Sequence, residues 1–153
     1  MSQQIDPRAP QFNAVVTAVV LAVVLLTAPN ALGVALLGVQ AVLFAIGAGL
    51  GVRKTPHAWV FRNLIRPRLA APQELEDAAP PRFAQAVGLA FAAVGLLGYL
   101  TGATLVGDIA VGFALAAALL NAVFAFCLGC EMYLLGRRLH GRLARRSATP
   151  ATN

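Results

Sequence analysis

The chain has 153 residues, room for one domain, and is 59% hydrophobic and 12% charged. A soluble domain carries roughly 25% charged residues, so composition excludes an ordinary water-exposed fold. The net charge of +6 would suit nucleic acid, but the basic residues flank apolar runs, where membrane topology and anionic lipid explain them.

Arg8 precedes the first apolar run, Phe12 to Ala28, which holds no charge. It is close to the ~17-residue minimum for crossing the hydrocarbon layer. Pro29 stands where a signal-peptide cleavage site would fall, so the run reads as a span rather than a leader. Only Pro29 and Asn30 separate it from the second run, Ala31 to Val52, and the pair is expected to form a tight antiparallel hairpin. Gly47 and Gly51 end the second run with a small-residue pair, and Ala84 and Gly88 form another in the third; both suit close helix packing in lipid.

Between the second and third runs lie Arg53, Lys54, Arg62, Arg66, Arg68 and Arg82. Residues 57–66 mix Trp59, Phe61, Leu64 and Ile65 with Arg62 and Arg66, the pattern of a short interfacial helix that Pro67 ends. Glu74, Glu76 and Asp77 follow as a solvated loop, with folding back on the basic segment or a docking site for a basic partner as the rival readings. The third span covers 83–100. The fourth is expected as one helix over 105–135, longer than a crossing requires, with Asp108 as its N-cap. Arg137, Arg138, Arg142, Arg145 and Arg146 begin a basic tail over 136–153, whereas the connections 29–30 and 101–108 hold no Lys or Arg. This alternation predicts an all-α polytopic membrane protein of four spans, a short interfacial helix in its central cytoplasmic loop and cytoplasmic termini.

The two cysteines are three apart, Cys127-Leu-Gly-Cys130, with Glu131 next. On one continuous helix these three side chains share a face, about 10–15 Å from the boundary marked by Arg137. Three readings stay open. In the redox reading Cys127 and Cys130 cycle between dithiol and disulfide, with Glu131 as proton acceptor. A position late in a helix counts against it, because the helix dipole there disfavours a thiolate; Arg53 or Arg82 could offset this. The metal reading lacks ligands beyond His57 and His140, which have no ligand spacing. The third reading is plain packing of two small residues. Glu131 could instead pair with an arginine, and Asn121 could hydrogen-bond between helices. No phosphate loop or Ser/His/Asp arrangement is present.

The stretches Arg66-Pro-Arg-Leu69, Glu74-Leu-Glu-Asp77, Pro80-Pro-Arg-Phe-Ala-Gln85 and Cys127-Leu-Gly-Cys-Glu131 resemble the bacterial family called domain of unknown function 4395. The resemblance runs from Asp6-Pro-Arg8 to Leu135. It implies a small inner-membrane protein of actinobacterial type, with about four helices, often encoded near thioredoxin-like or sulfurtransferase proteins. The expected function is thiol-redox or sulfur-compound handling, with Cys127, Cys130 and Glu131 reacting and Arg53, Arg82 and Asn121 binding substrate. The alternative is a non-enzymatic accessory subunit or small carrier in which the cysteines only pack. No metal or cofactor is expected. The lipid bilayer and a thioredoxin-like or sulfurtransferase protein are the expected partners.

Overall fold

A computed structural model describes residues 4–70, 72 and 74–147. In chain order these form β1 (Gln4–Ile5), α1 (Arg8–Thr27), α2 (Ala31–Gly49), α3 (Pro56–Val60), β2 (Glu76–Asp77), α4 (Ala79–Leu100), α5 (Thr104–Phe124) and α6 (Leu128–Ser147). Short 3₁₀ or π turns fill 52–54 and 61–68. Helices α1, α2, α4 and α5 are each long and apolar enough to cross a membrane. At 19 to 22 residues and 1.5 Å per residue, each matches a hydrocarbon layer of about 30 Å. The fold is an all-α integral membrane bundle.

The four long helices form a ring in which α1 packs on α2 and α5, and α4 packs on α2 and α5. Leu21, Val24, Leu37, Phe44, Tyr99 and Val111 fill its centre. Lipid removes the hydrophobic incentive for helices to associate, so small residues must let the backbones approach. Gly98 shows this: a Cβ there would lie 2.6 Å from the backbone nitrogen of Gly107. One polar contact crosses the core, where Gln40 Nε2 donates to Thr17 Oγ1 at 3.4 Å.

The hairpin expected between the first two spans is present, turning at 28–30. The interfacial segment is also helical, from Pro56 through Arg68, with Thr55 capping α3 by accepting the N–H of Ala58. Pro67 lies inside the last turn, one residue before the helical segment ends. Trp59 is exposed, but Phe61 is buried against Phe12, with ring centroids 5.9 Å apart. It therefore anchors the loop to the bundle. Glu76 and Asp77 pair antiparallel with Ile5 and Gln4, so part of the acidic run folds back on the N-terminal strand. Asp108 is not an N-cap. It lies one turn inside α5 and accepts the hydroxyl of Tyr99 at 2.9 Å.

The fourth span departs most from expectation. Instead of one helix over 105–135, α5 stops at Phe124, Ala125 takes a left-handed conformation (φ 54°, ψ 25°), and α6 starts at Leu128. The N–H groups of Ala125 and Phe126 both reach the carbonyl of Leu120, at 3.4 Å for Phe126, closing the end in the αL manner. Helix α5 already spans the hydrocarbon layer, so a straight continuation would carry Glu131 and the arginines after it out of the bilayer along the bundle axis. Helix α6 packs instead mainly on α4. Gly129 sits against Ala84, where a Cβ would come within 2.7 Å, and Tyr133 packs on Phe83 at 5.8 Å. Of the expected tail, 148–153 lie outside the described residues.

Candidate functional site

The first turns of α1 and α4, the end of α5 and the start of α6 meet at the end of the bundle that carries the basic residues. Cys127 stands immediately before α6, where Ser or Asp usually caps a helix. Its sulfur accepts the N–H of Cys130 at 3.3 Å, and its carbonyl accepts the N–H of Glu131 at 3.0 Å. The two sulfurs lie within bonding distance, with Cα atoms 5.2 Å apart, inside the range a disulfide accepts. The pair thus occupies a helix N-terminus, not a late position in a long helix. That reverses the dipole argument, because an N-terminus favours negative charge on sulfur.

Cys127 lines a cavity of about 280 Å³ enclosed by α1, α4, α5 and the start of α6, with Phe44 contributed by α2. Cys130 is half-buried but does not line this cavity, so the two sulfurs have different surroundings. Asn121 is on the cavity wall and donates to the carbonyl of Pro10 at 3.5 Å, while Gln11 donates back to Ala122 at 3.1 Å. The expected interhelical hydrogen bond of Asn121 therefore goes to backbone on α1. Glu131 is exposed in the first turn of α6.

The two arginines are not on the cavity wall. Arg82 donates from Nε to the carbonyl of Ala48 at 2.5 Å and from Nη2 to that of Gly49 at 2.7 Å. Those carbonyls are among the last of α2, which lack intrahelical partners; the guanidinium caps that helix. Arg53 is exposed and borders a smaller space of about 50 Å³ beside Thr55 and Gln85. His57 is half-buried in α3, and desolvation lowers its pKa from the ordinary imidazole value. Among the described residues no three His, Cys, Asp or Glu come together in a way that would hold a metal ion.

Sequence reasoning missed Asn13, Thr17 and Gln85, which line the cavity. Their signal was faint: lone polar residues in otherwise apolar spans, with Asn13 and Thr17 one helical turn apart. The model of one family, domain of unknown function (DUF4395), matches residues 5–138. The chain belongs to this family. No curated protein and no solved structure matches it. In this DUF4395 chain the matched region takes in Ile5 of β1, all four spans, the cavity and both cysteines.

Proposed function

We propose that this protein is a thiol–disulfide redox component at the cytoplasmic face of the membrane, with Cys127 and Cys130 as its reacting pair. The carrying observation is the location of the pair. Two sulfurs within bonding distance open α6, with Cys127 accepting an amide hydrogen bond and bordering a membrane cavity. The basic residues of the chain gather at this end, which supports a cytoplasmic location under the positive-inside rule. Disulfides in that compartment are rare and are usually transient, catalytic or redox-sensing. Glu131, exposed one turn into α6, is placed to exchange protons with water beside the pair. A thioredoxin-like or sulfurtransferase protein would supply or remove the thiol electrons.

The purified protein in lipid nanodiscs is equilibrated with glutathione buffers, and free thiols are counted by maleimide mass shift. A reversible two-electron transition is expected, together with a mixed disulfide accumulating on Cys130 in Cys127→Ser. A pair that stays unreactive to reductant while the protein is folded leaves only the capping role of Cys127. The fold would then fit an accessory subunit.

A further inference from the structure

We propose that the cavity beside Cys127 binds the ring of a membrane-soluble quinone, which takes the electrons of the reduced cysteine pair; this rests on the thiol-redox reading above. Two features of the cavity lead to it. The first is a gradient of polarity along its length. Asn13, Gln85 and Asn121 line it within about 5–9 Å of the basic ends of their helices, whereas Phe91 and Phe113 lie about 17–18 Å in, at 1.5 Å per residue. These two rings sit 6.3 Å apart across α4 and α5, and Phe113 is 62% exposed. The cavity therefore extends from the disulfide towards the exposed ring of Phe113 near mid-membrane. The second is the start of α6. Leu128 and Gly129 are on the cavity wall, in a first turn whose N–H groups lack intrahelical acceptors.

Three classes of occupant can be compared on this geometry. A small free anion would meet no cationic side chain among the lining residues and would lose its hydration in a largely apolar space. A lipid acyl chain would fit the apolar stretch but offer no partner to the amides of Asn13 and Gln85 or to the N–H groups of Leu128 and Gly129. A quinone satisfies both ends, since its carbonyl oxygens accept from amide donors and its isoprenoid chain lies along the apolar stretch towards the exposed Phe113. Its size is consistent, because 280 Å³ is close to the lower end of small-molecule sites, roughly 300–1,000 Å³. On reduction the ring oxygens become anionic before protonation, beside a helix N-terminus that stabilises that charge.

The step balances. The Cys127 thiolate adds to a ring carbon, and the deprotonated Cys130 attacks the Cys127 sulfur. The S–S bond forms as the C–S bond breaks, and the hydroquinone leaves with the two electrons of that bond. The two protons given up by the thiols protonate its oxygens. The pair is oxidised by two electrons and the quinone reduced by two. Electrons from a partner dithiol re-enter by exchange at Cys130, the sulfur that does not face the cavity.

The test uses full-length protein in phosphatidylcholine nanodiscs, reduced with dithiothreitol and desalted, with decyl-ubiquinone added. Stoichiometric quinol formation is expected as maleimide-reactive thiols disappear. Ala117→Phe, which fills the cavity, should slow this at least tenfold, and Ala116→Phe, exposed on the same helix, should not. Cys127→Ser cannot turn over but keeps the cavity, so an azido-quinone should label α5 or the start of α6 and be competed by excess decyl-ubiquinone. A wild-type pair that dithiothreitol reduces but quinone does not reoxidise overturns the proposal and leaves the redox reading intact. Labelling that decyl-ubiquinone does not displace also overturns it, as expected if lipid fills the cavity. A disulfide inert to dithiothreitol ends the redox reading and the electron step together, and the labelling experiment still decides the binding site on its own.

Discussion

Replacing Ala125 by glycine asks whether the fourth span ends where the structure ends it. Ala125 holds φ 54° and ψ 25°, a conformation that costs an L-residue with a Cβ roughly 1–2 kcal/mol. Glycine adopts it freely but loses more chain entropy on folding, which returns about 0.4–1 kcal/mol. The net expectation for Ala125→Gly is a gain of about 0.5–1 kcal/mol. If α5 and α6 were instead one continuous helix, glycine at its middle would cost about 1 kcal/mol. The two architectures predict opposite signs, separated by about 1.5–2 kcal/mol. Ala125 is exposed, so removing its methyl group leaves no core void to confuse the reading. Equilibrium unfolding by SDS in mixed micelles, followed by circular dichroism, resolves a difference of this size. A destabilisation near 1 kcal/mol would refute the broken helix, and with it the placement of Cys127 at a helix N-terminus.

Arg82→Gln removes the two donors that cap α2 at Ala48 and Gly49. Because the side chain is solvent-exposed, the loss should be about 1 kcal/mol, read as roughly fivefold faster amide exchange in the last turn of α2; unchanged exchange would show the cap contributes nothing. Gly129→Val brings a side chain against the backbone of Ala84, an overpacking worth about 1–3 kcal/mol. Trypsin should then cleave at Arg137 and Arg138 several-fold faster than in the wild type, and equal rates would mean that α6 does not depend on that contact. His57 is held neutral by desolvation, so its stabilising contribution is complete above the ordinary value of 6.5 and declines as the pH falls below it. An NMR titration of the imidazole should show its midpoint below 6.5; a midpoint at or above that value contradicts the burial.

What could be read from the chain followed from long, uninterrupted signals. Four apolar runs and basic residues confined to alternate gaps define the spans, and the mixture of Trp59, Phe61, Arg62 and Arg66 marks the helical loop. The break at 125–127 left no such mark. Ala-Phe-Cys contains no glycine or proline, hydropathy runs on through Leu134 and Leu135, and cysteine is seldom considered as a cap. The bend follows from tertiary packing, with Gly129 on Ala84 and Tyr133 on Phe83. The role of Arg82 was hidden for a similar reason, because the carbonyls it caps are 33 and 34 residues away. The cavity is built from helices distant in sequence, so only its isolated polar residues hinted at it.

The position of the break decides which chemistry the cysteines favour. Late in a continuous helix, the terminal carbonyls would oppose charge on either sulfur. At the start of α6 the sign reverses. A helix terminus contributes about 0.3–1 kcal/mol towards a compatible charge at an exposed site, and up to about 2 kcal/mol when partly buried. Cys127, half-buried and accepting the N–H of Cys130 at 3.3 Å, is the sulfur that receives this benefit. Glu131 opposes it, but an exposed carboxylate is screened by solvent and salt. The two sulfurs are therefore unequal in a definite direction. An incoming thiolate that attacks Cys130 expels Cys127, the better-stabilised leaving group, and thiol exchange runs faster when the departing sulfur bears its charge more easily. In the proposed redox role the released charge would appear on the side of the pair that borders the cavity, at the helix end that stabilises it.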